Sequence, residues 1–178
     1  MYKIANVKVS VKTSPLFLDT VYRSILSQGI DCNNYNNFIV VKSVYTYIIF
    51  KTNYKSENHI NITKIPSVDN IKDAIEKLLI LVPCMVLSQK IDNIIATTNI
   101  NHKLSLKDIV EKNKFQVTKY NNEKFPGLFL KFQKGTAILF HSGKIVIVGS
   151  KSIEDIECLL AHILANIEMR SLMREREL

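Results

Sequence analysis

From Lys124 to Lys151 the chain reads KFPGLFLKFQKGTAILFHSGKIVIVGSK, dense in β-branched and aromatic residues and apolar at alternate positions in both phases. A strand with one face in a core and the other in water alternates apolar with polar residues. Here both phases are apolar, so two faces need cover. Ser142-Gly143 interrupts the run and predicts a tight hairpin turn between strands Thr136–His141 and Lys144–Gly149, with Gly143 supplying the positive φ. One face then carries Thr136, Ile138, Phe140, Val146 and Val148; the other carries Ala137, Leu139, Ile145 and Ile147.

Two segments have the helical period instead. Ile71, Ala74, Ile75, Leu78 and Leu79 form one stripe, and Ile156, Leu159, Leu160, Ile163 and Leu164 form another. Ser67 and Ser152 stand before them as N-caps, followed by acids that complement the helix dipole. The charged end, Glu168–Leu178, extends the last helix and then frays.

These segments recur at 85 to 90 residues. KIANVKVSV (Lys3–Val11) matches KIDNIIATT (Lys90–Thr98), with Asn6 over Asn93. Ser14–Leu26 matches Asn101–Lys112, Tyr45–Phe50 matches Gly135–Phe140, and Ser67–Leu79 matches Ser152–Leu164. Each half reads strand, short helix, several strands, long helix. The chain is therefore expected to be an α/β (α+β) protein of two pseudo-symmetric repeats, residues 1–82 and 83–178, with Pro83 near the join.

Charge narrows the partners. The net charge is +8, and it is evenly spread: Met1–Val82 has 10 Lys/Arg and 6 Asp/Glu, Pro83–Leu178 has 14 and 10. A basic surface without a separate basic tail fits a polyanion. Cys32, Cys84 and Cys158 are widely spaced, form no CxxC pair, and read as three buried apolar thiols rather than a metal or disulfide framework. The opening residues alternate rather than run apolar, so no secretion signal is expected. The longest apolar run, Leu78–Leu87, contains Pro83 and, at about ten residues, is too short to span a bilayer.

Catalysis finds no support. Gly143-Lys144 lacks the upstream glycine and following Ser or Thr of a phosphate-binding loop. His59, His102, His141 and His162 have no metal-ligand spacing, and no nucleophile motif is present. No cofactor, no metal and no enzymatic activity are expected.

At most four helices, two of them short, must cover a sheet of eight to ten strands. The expectation is one bare apolar face, which marks an interaction surface; the alternative is a sheet with helices on both sides. The minor groove of A·T-rich DNA offers acceptors and few donors, and it accepts a broad apolar surface flanked by lysines.

FPGL at Phe125–Leu128, followed by ILFHSGKIVIVGSK at Ile138–Lys151, closely resembles the second repeat of the TATA-box-binding protein family. The paired asparagines, the two repeats and the length are similar to that family as well. The resemblance is strong over Lys90–Ile167 and weak over Met1–Leu81. It implies a saddle, a curved antiparallel sheet with helices on the convex face, and insertion of side chains that kinks the duplex, the mode for which this family is known.

Carried over, the resemblance makes Phe125 and Phe140 the wedge pair, with Pro126 and Gly127 fixing the turn that presents Phe125. Asn93 and its partner Asn6 would donate to base acceptors. Ile95, Ile138, Val146 and Val148 would lie in the groove. Lys131, Ser142, Lys144 and Lys151 would contact phosphates. In the first half, Phe50 matches Phe140, Thr63 falls at a groove-facing Thr, and Lys42 matches Lys131.

The first half departs from the pattern. NNFIVVK (Asn36–Lys42) stands in place of FPG, leaving Phe38 as the wedge candidate. A longer polar loop within Phe50–Ile62 replaces the SGK turn. Lys8 stands opposite Ile95 and Asn61 opposite Val146, while Val148 replaces a second central Thr. The short Phe132–Gly135 loop lies where the family meets its B-type (TFIIB-like) initiation factor.

The resemblance implies a DNA-binding transcription initiation factor acting on double-stranded A/T-rich promoters. It also implies association with initiation factors and the RNA polymerase machinery, at the nucleus or other site of transcription, not secreted and not on a membrane. The divergence fits a viral or otherwise fast-evolving relative. The alternative is a protein-interaction module of the same fold that has lost specific TATA binding.

Overall fold

A computed structural model describes residues 1–52, 56–111 and 117–174. The chain divides into two compact units, Ala5–Asn93 and Met1–Ile4 with Ile94–Leu178.

The first unit holds β1 (Lys3–Thr13, from Ala5), α1 (Leu18–Ser27), β2 (Cys32–Asn34), β3 (Phe38–Lys42), β4 (Thr46–Phe50), β5 (Asn58–Ile65), and a 3₁₀ turn (Val68–Asn70) that leads into α2 (Ile71–Leu81). Its strands run antiparallel in the order β2-β3-β4-β5-β1. The second unit takes the Ile94–Asn99 part of β6 (Val86–Asn99). It then holds α3 (Leu106–Glu111), β7 (Val117–Lys119), β8 (Gly127–Phe132), β9 (Gly135–Phe140), β10 (Lys144–Ser150) and α4 (Ile153–Arg174). Its order is β6-β10-β9-β8-β7, again antiparallel.

Alternation decides which face each strand buries. In the first unit Val7, Val9, Val11, Ile39, Val41, Tyr47, Ile49, Ile60 and Ile62 are buried, together with Val21 and Ile25 of α1 and Ala74 and Leu78 of α2. The Tyr47 hydroxyl donates to the Ala74 carbonyl at 3.1 Å, so a buried phenol keeps a partner and ties β4 to α2. In the second unit Leu128, Leu130, Ala137, Leu139, Ile145 and Ile147 are buried, and α4, which packs on β9 and β10, buries Ile156, Leu159, Leu160 and Ile163. Truncating a fully buried member such as Leu139 to Ala costs about 2–5 kcal/mol.

The opposite face of each sheet is different. Among the described residues, every side chain that β1, β3–β5, β8–β10 and the Ile94–Asn99 part of β6 place there is half-buried or exposed, apart from Ser10. Within each unit this answers the expectation of a one-sided sheet over the alternative of helices on both faces.

Several local expectations are corrected. The hairpin strands are Gly135–Phe140 and Lys144–Ser150, so the connection has three residues rather than two. Gly143 N–H donates to the Phe140 carbonyl at 3.0 Å, and Gly143 sits at φ +87°, which marks a turn closed by a left-handed glycine. Ser152 caps α4 through the Asp155 amide at 3.1 Å. Ser67 does not cap α2; its hydroxyl donates to the Asn70 side chain at 2.7 Å, and the 3₁₀ turn takes up the first residues expected to be helical. Of the α2 stripe, Leu79 is exposed. Cys32 is buried, but Cys84 is only half-buried and Cys158 is exposed, so the three thiols do not share one environment. Helix α4 runs on to Arg174; residues 175–178 lie outside the described part, as do residues 53–55 of the polar loop after β4.

Each unit also bends one strand at a bulge, and the two bulges are 85 positions apart. Lys64 (φ +63°) lies in β5 where its register against β1 shifts, and Gly149 (φ +86°) lies in β10 where its register against β6 shifts.

Candidate nucleic-acid interface

On the second unit, the open face is an apolar field. Ile138 lies at its centre, paired across the strands with Val146 on one side and Phe129 on the other; Val146 pairs in turn with Thr97 of β6, and Val148 with Thr136. Ile95 lies on the same face of β6, two positions before Thr97. Phe140 pairs with Gly127, and the Phe125 ring lies beside it, 5.9 Å between centroids in an edge arrangement; Phe129 is 5.1 Å from Phe125. Phe125 remains 40% exposed, more open than any large apolar side chain of β8, β9 or β10 among the described residues.

Gly127 explains why the motif is FPG. A Cβ placed there would stand 2.6 Å from Phe125 Cε1, 2.8 Å from Ile138 Cγ2 and 3.2 Å from Phe140 Cε1. The two aromatic rings close over a bare α-carbon. The reversal itself comes earlier, where the Lys124 and Phe125 amides donate to the Asn121 carbonyl at 3.1 and 3.0 Å. Pro126, at a bend, then leads into β8 without an N–H to satisfy.

Cations rim this field. Lys131 pairs with Thr136 and Lys144 with Asn99, both on the open face, and Lys151 follows β10. All three are exposed, and none is in an ion pair among the described residues. Ser142 is exposed in the turn.

On the first unit the same face is mixed. Phe38 pairs with Phe50 at 6.0 Å between ring centroids, and Tyr35 stacks on Phe38 at 4.8 Å. Phe38 is thus brought beside Phe50, as Phe125 is brought beside Phe140. Thr63 pairs with Thr46, whose buried hydroxyl has no hydrogen-bond partner among the described residues, and Lys42 is exposed at the end of β3. Asn6 accepts a hydrogen bond from the Lys64 amide at 2.8 Å through its side-chain oxygen. The bulge thereby fixes the amide and leaves its NH₂ to donate. Asn93 closes the first unit, half-buried, in the middle of β6.

Polar groups occupy the middle of this face. Ser10 donates to Asn61 at 3.0 Å and also contacts the Asp92 carboxylate; Lys8 lies 3.7 Å and Lys90 3.6 Å from Asp92; His59 lies 3.2 Å from Asn61. Burial alone would push the Asp92 carboxyl up, but the Ser10 hydroxyl and the two ammonium groups outweigh it and hold the carboxyl below its ordinary range. Sequence reasoning found Lys8 and Asn61 but missed Ser10 and Asp92. It also missed Phe129, Thr97 and Tyr35. Phe129 was available by counting back two positions from Lys131; the Ser10–Asp92 contact joins residues far apart in the chain and left no local signal.

Among the described residues, no group of three His, Cys, Asp or Glu side chains could hold a metal ion, and no helix is long and apolar enough to cross a membrane.

Antiparallel sheets that bury one face under helices and leave the opposite face open define an α+β protein of one-sided sheets. Residues 88–169 match the profile of the family described as "Transcription factor TFIID (or TATA-binding protein, TBP)". The TATA-box-binding protein of Thermococcus celer is 40% identical over 70 residues, 38% of this chain and 36% of that protein. The Pyrococcus horikoshii TATA-box-binding protein is 35% identical over 81 residues, 44% and 41% of the two chains. The chain thus spans well under half the length of these curated relatives. In three dimensions the likeness is wider: the Methanococcus jannaschii TBP superposes with a TM-score of 0.75 at 27% identity, covering 94% of this chain and 98% of that one. The chain belongs to the TATA-box-binding protein family, with its sequence likeness concentrated in the second half.

Proposed function

We propose that this protein is a DNA-binding transcription initiation factor that occupies the minor groove of A/T-rich promoter DNA through its open sheet faces. The observation that carries this reading is the second unit's face: an apolar field with an exposed Phe125 set against Phe140 over Gly127, rimmed by Lys131, Lys144 and Lys151 without ion-pair partners among the described residues. A groove floor that presents acceptors and no guanine amine accepts Ile95, Ile138, Val146 and Val148, while the lysines neutralise phosphates. Phe125 and Phe140 enter a base step and kink the duplex. Asn6, held by the Lys64 amide, offers its NH₂ to base acceptors, and Asn93 takes the matching role. Phe50 beside Phe38 forms the corresponding aromatic pair of the first half, flanked by Thr63 and Lys42. Ser142 adds a phosphate contact at the hairpin. The helical faces serve initiation factors and the polymerase machinery, at the site of transcription.

The test is fluorescence anisotropy of a labelled A·T duplex and a G·C-substituted duplex over a salt series, with energy transfer between the duplex ends to report bending. Tighter A·T binding with a bend supports the reading. Phe125→Ala and Phe140→Ala each reduce the bend more than they reduce charge-driven association; bend angles equal to wild type would overturn the wedge assignment.

The Lys8–Asp92 pair on the first unit's face favours a second reading, a protein-interaction module that has lost specific DNA binding. Equal, weak, salt-sensitive binding to both duplexes without a bend would select it.

A further inference from the structure

We infer that the Lys8–Asp92–Ser10–Asn61 network is a base-reading device that accepts the exocyclic amine of guanine, so that the half-site under the first unit takes a G·C pair where the second unit demands A·T. This inference rests on the minor-groove reading and specifies its sequence preference.

The argument begins with protons. Ser10 is 5% exposed and has one hydroxyl proton, yet both the Asn61 side-chain oxygen and the Asp92 carboxylate lie within its reach. It cannot serve both. When the Ser10 hydroxyl donates to the Asp92 carboxylate, Asn61 turns its NH₂ toward the Ser10 oxygen, an exchange of amide N and O that leaves the geometry unchanged. The Asn61 carbonyl oxygen then faces outward. Asp92 keeps a second carboxylate oxygen, which Lys90 approaches at 3.6 Å and which retains lone-pair capacity for a further donor. The result is a face with two acceptors in surplus, and the depressed Asp92 carboxyl keeps its charge at neutral pH.

Acceptors are mismatched to an A·T floor. A·T and T·A pairs present only acceptors in the minor groove, and a carboxylate or amide oxygen facing them is left unpaired. A G·C pair adds the N2 amine, a donor placed near the middle of the groove. The apolar field of the second unit behaves in the opposite way, since Ile138, Val146 and Val148 would bury that amine without a partner. The two repeats therefore have opposite chemistry at equivalent positions, Asn61 against Val146 and Lys8 against Ile95. Lys8 compensates the Asp92 charge, 3.7 Å away, so that the carboxylate does not repel the phosphates outright.

Three duplexes test this: all A·T, one half A·T with a G·C pair in the other half, and G·C in both halves. Each is measured by anisotropy with the bend readout. Wild type should bind the mixed duplex within about threefold of the all-A·T duplex and bind the doubly substituted one at least tenfold more weakly, following the usual cost of a mismatched base pair. Asp92→Asn, which keeps the shape of the side chain, and Asn61→Val should each shift preference about tenfold from the mixed toward the all-A·T duplex. Continued rejection of the doubly substituted duplex by the variants shows that the second unit remains intact. A wild-type protein that loses tenfold or more on the mixed duplex overturns the inference and leaves the promoter reading standing. Wild-type tolerance that neither variant changes also overturns it, because the network would not be the reader. Equal binding of all three duplexes without a bend overturns both.

Discussion

The two units share a pattern of burial but not a surface chemistry. Both bury an alternating set of aliphatics under helices, and both bend a strand at a left-handed residue, Lys64 in one and Gly149 in the other. Their open faces differ. The second carries Ile138, Val146, Val148 and three aromatic rings; the first carries a serine, an amide, a carboxylate and two lysines wired together around its centre. The buried face tolerates only residues that pack, so it holds its pattern. The open face answers to whatever binds it, so it is free to change chemistry without unfolding the sheet.

The strongest way to break this comparison is to give the second face the chemistry of the first. Val146→Asp places a carboxylate between Ile138 and Thr97 without a partner. It should weaken binding to an A·T duplex about 100-fold, or about 2–3 kcal/mol, because a desolvated anion faces only acceptors. Asn61→Asp at the equivalent position of the first face should cost only a few-fold, since polar neighbours are already present. Anisotropy on both variants checks the pair, and similar losses would mean that the two faces are not distinct.

Next is the hairpin that the first unit lacks. Gly143 combines a φ of +87° with a Cβ position 2.3 Å from the His102 carbonyl oxygen. Gly143→Ala should cost about 2 kcal/mol and lower the melting temperature by about 5 °C, measured by thermal unfolding.

Smaller still, the two bulges allow a reciprocal exchange. Lys64→Gly relieves a left-handed L-residue and Gly149→Lys creates one, so stability should change in opposite directions by about 1 kcal/mol or less. Open space around Gly149, whose nearest neighbour to an added Cβ is the Gly135 α-carbon at 3.7 Å, removes steric clash from the comparison. Urea midpoints read both, and a shift of the same sign in both would deny the bulges their equivalence.

The smallest effect is the pH response of the first face. The folded Asp92 carboxyl is depressed, so its contribution is fully present above the unfolded value, about 3.9, and is lost as pH falls through the folded value. The stability gap between wild type and Asp92→Asn should therefore be widest near neutrality and close in acid. Urea midpoints from pH 7 down to pH 3 would show it; a gap independent of pH would remove the charge from the argument.

Much of this was legible in the chain. Strand alternation fixed the two faces of β9 and β10 before any contact was known, because a period of two leaves each side chain only one face. Gly143 was marked by its position between two apolar runs, and Ser152 by the acids that follow it. Other features needed the fold. Ser67 has the same local signature as Ser152, yet Asn70 three residues later captures its hydroxyl and a 3₁₀ turn replaces the first helical turn. Gly127 is dictated by rings that close over it, from Phe125 two residues before and Phe140 across the ladder. The contact of Ser10 with Asp92 joins residues 82 positions apart. Periodicity is a local property and is written in the sequence. The partner of a polar side chain is set by which strands meet and in what register, and only tertiary structure decides that.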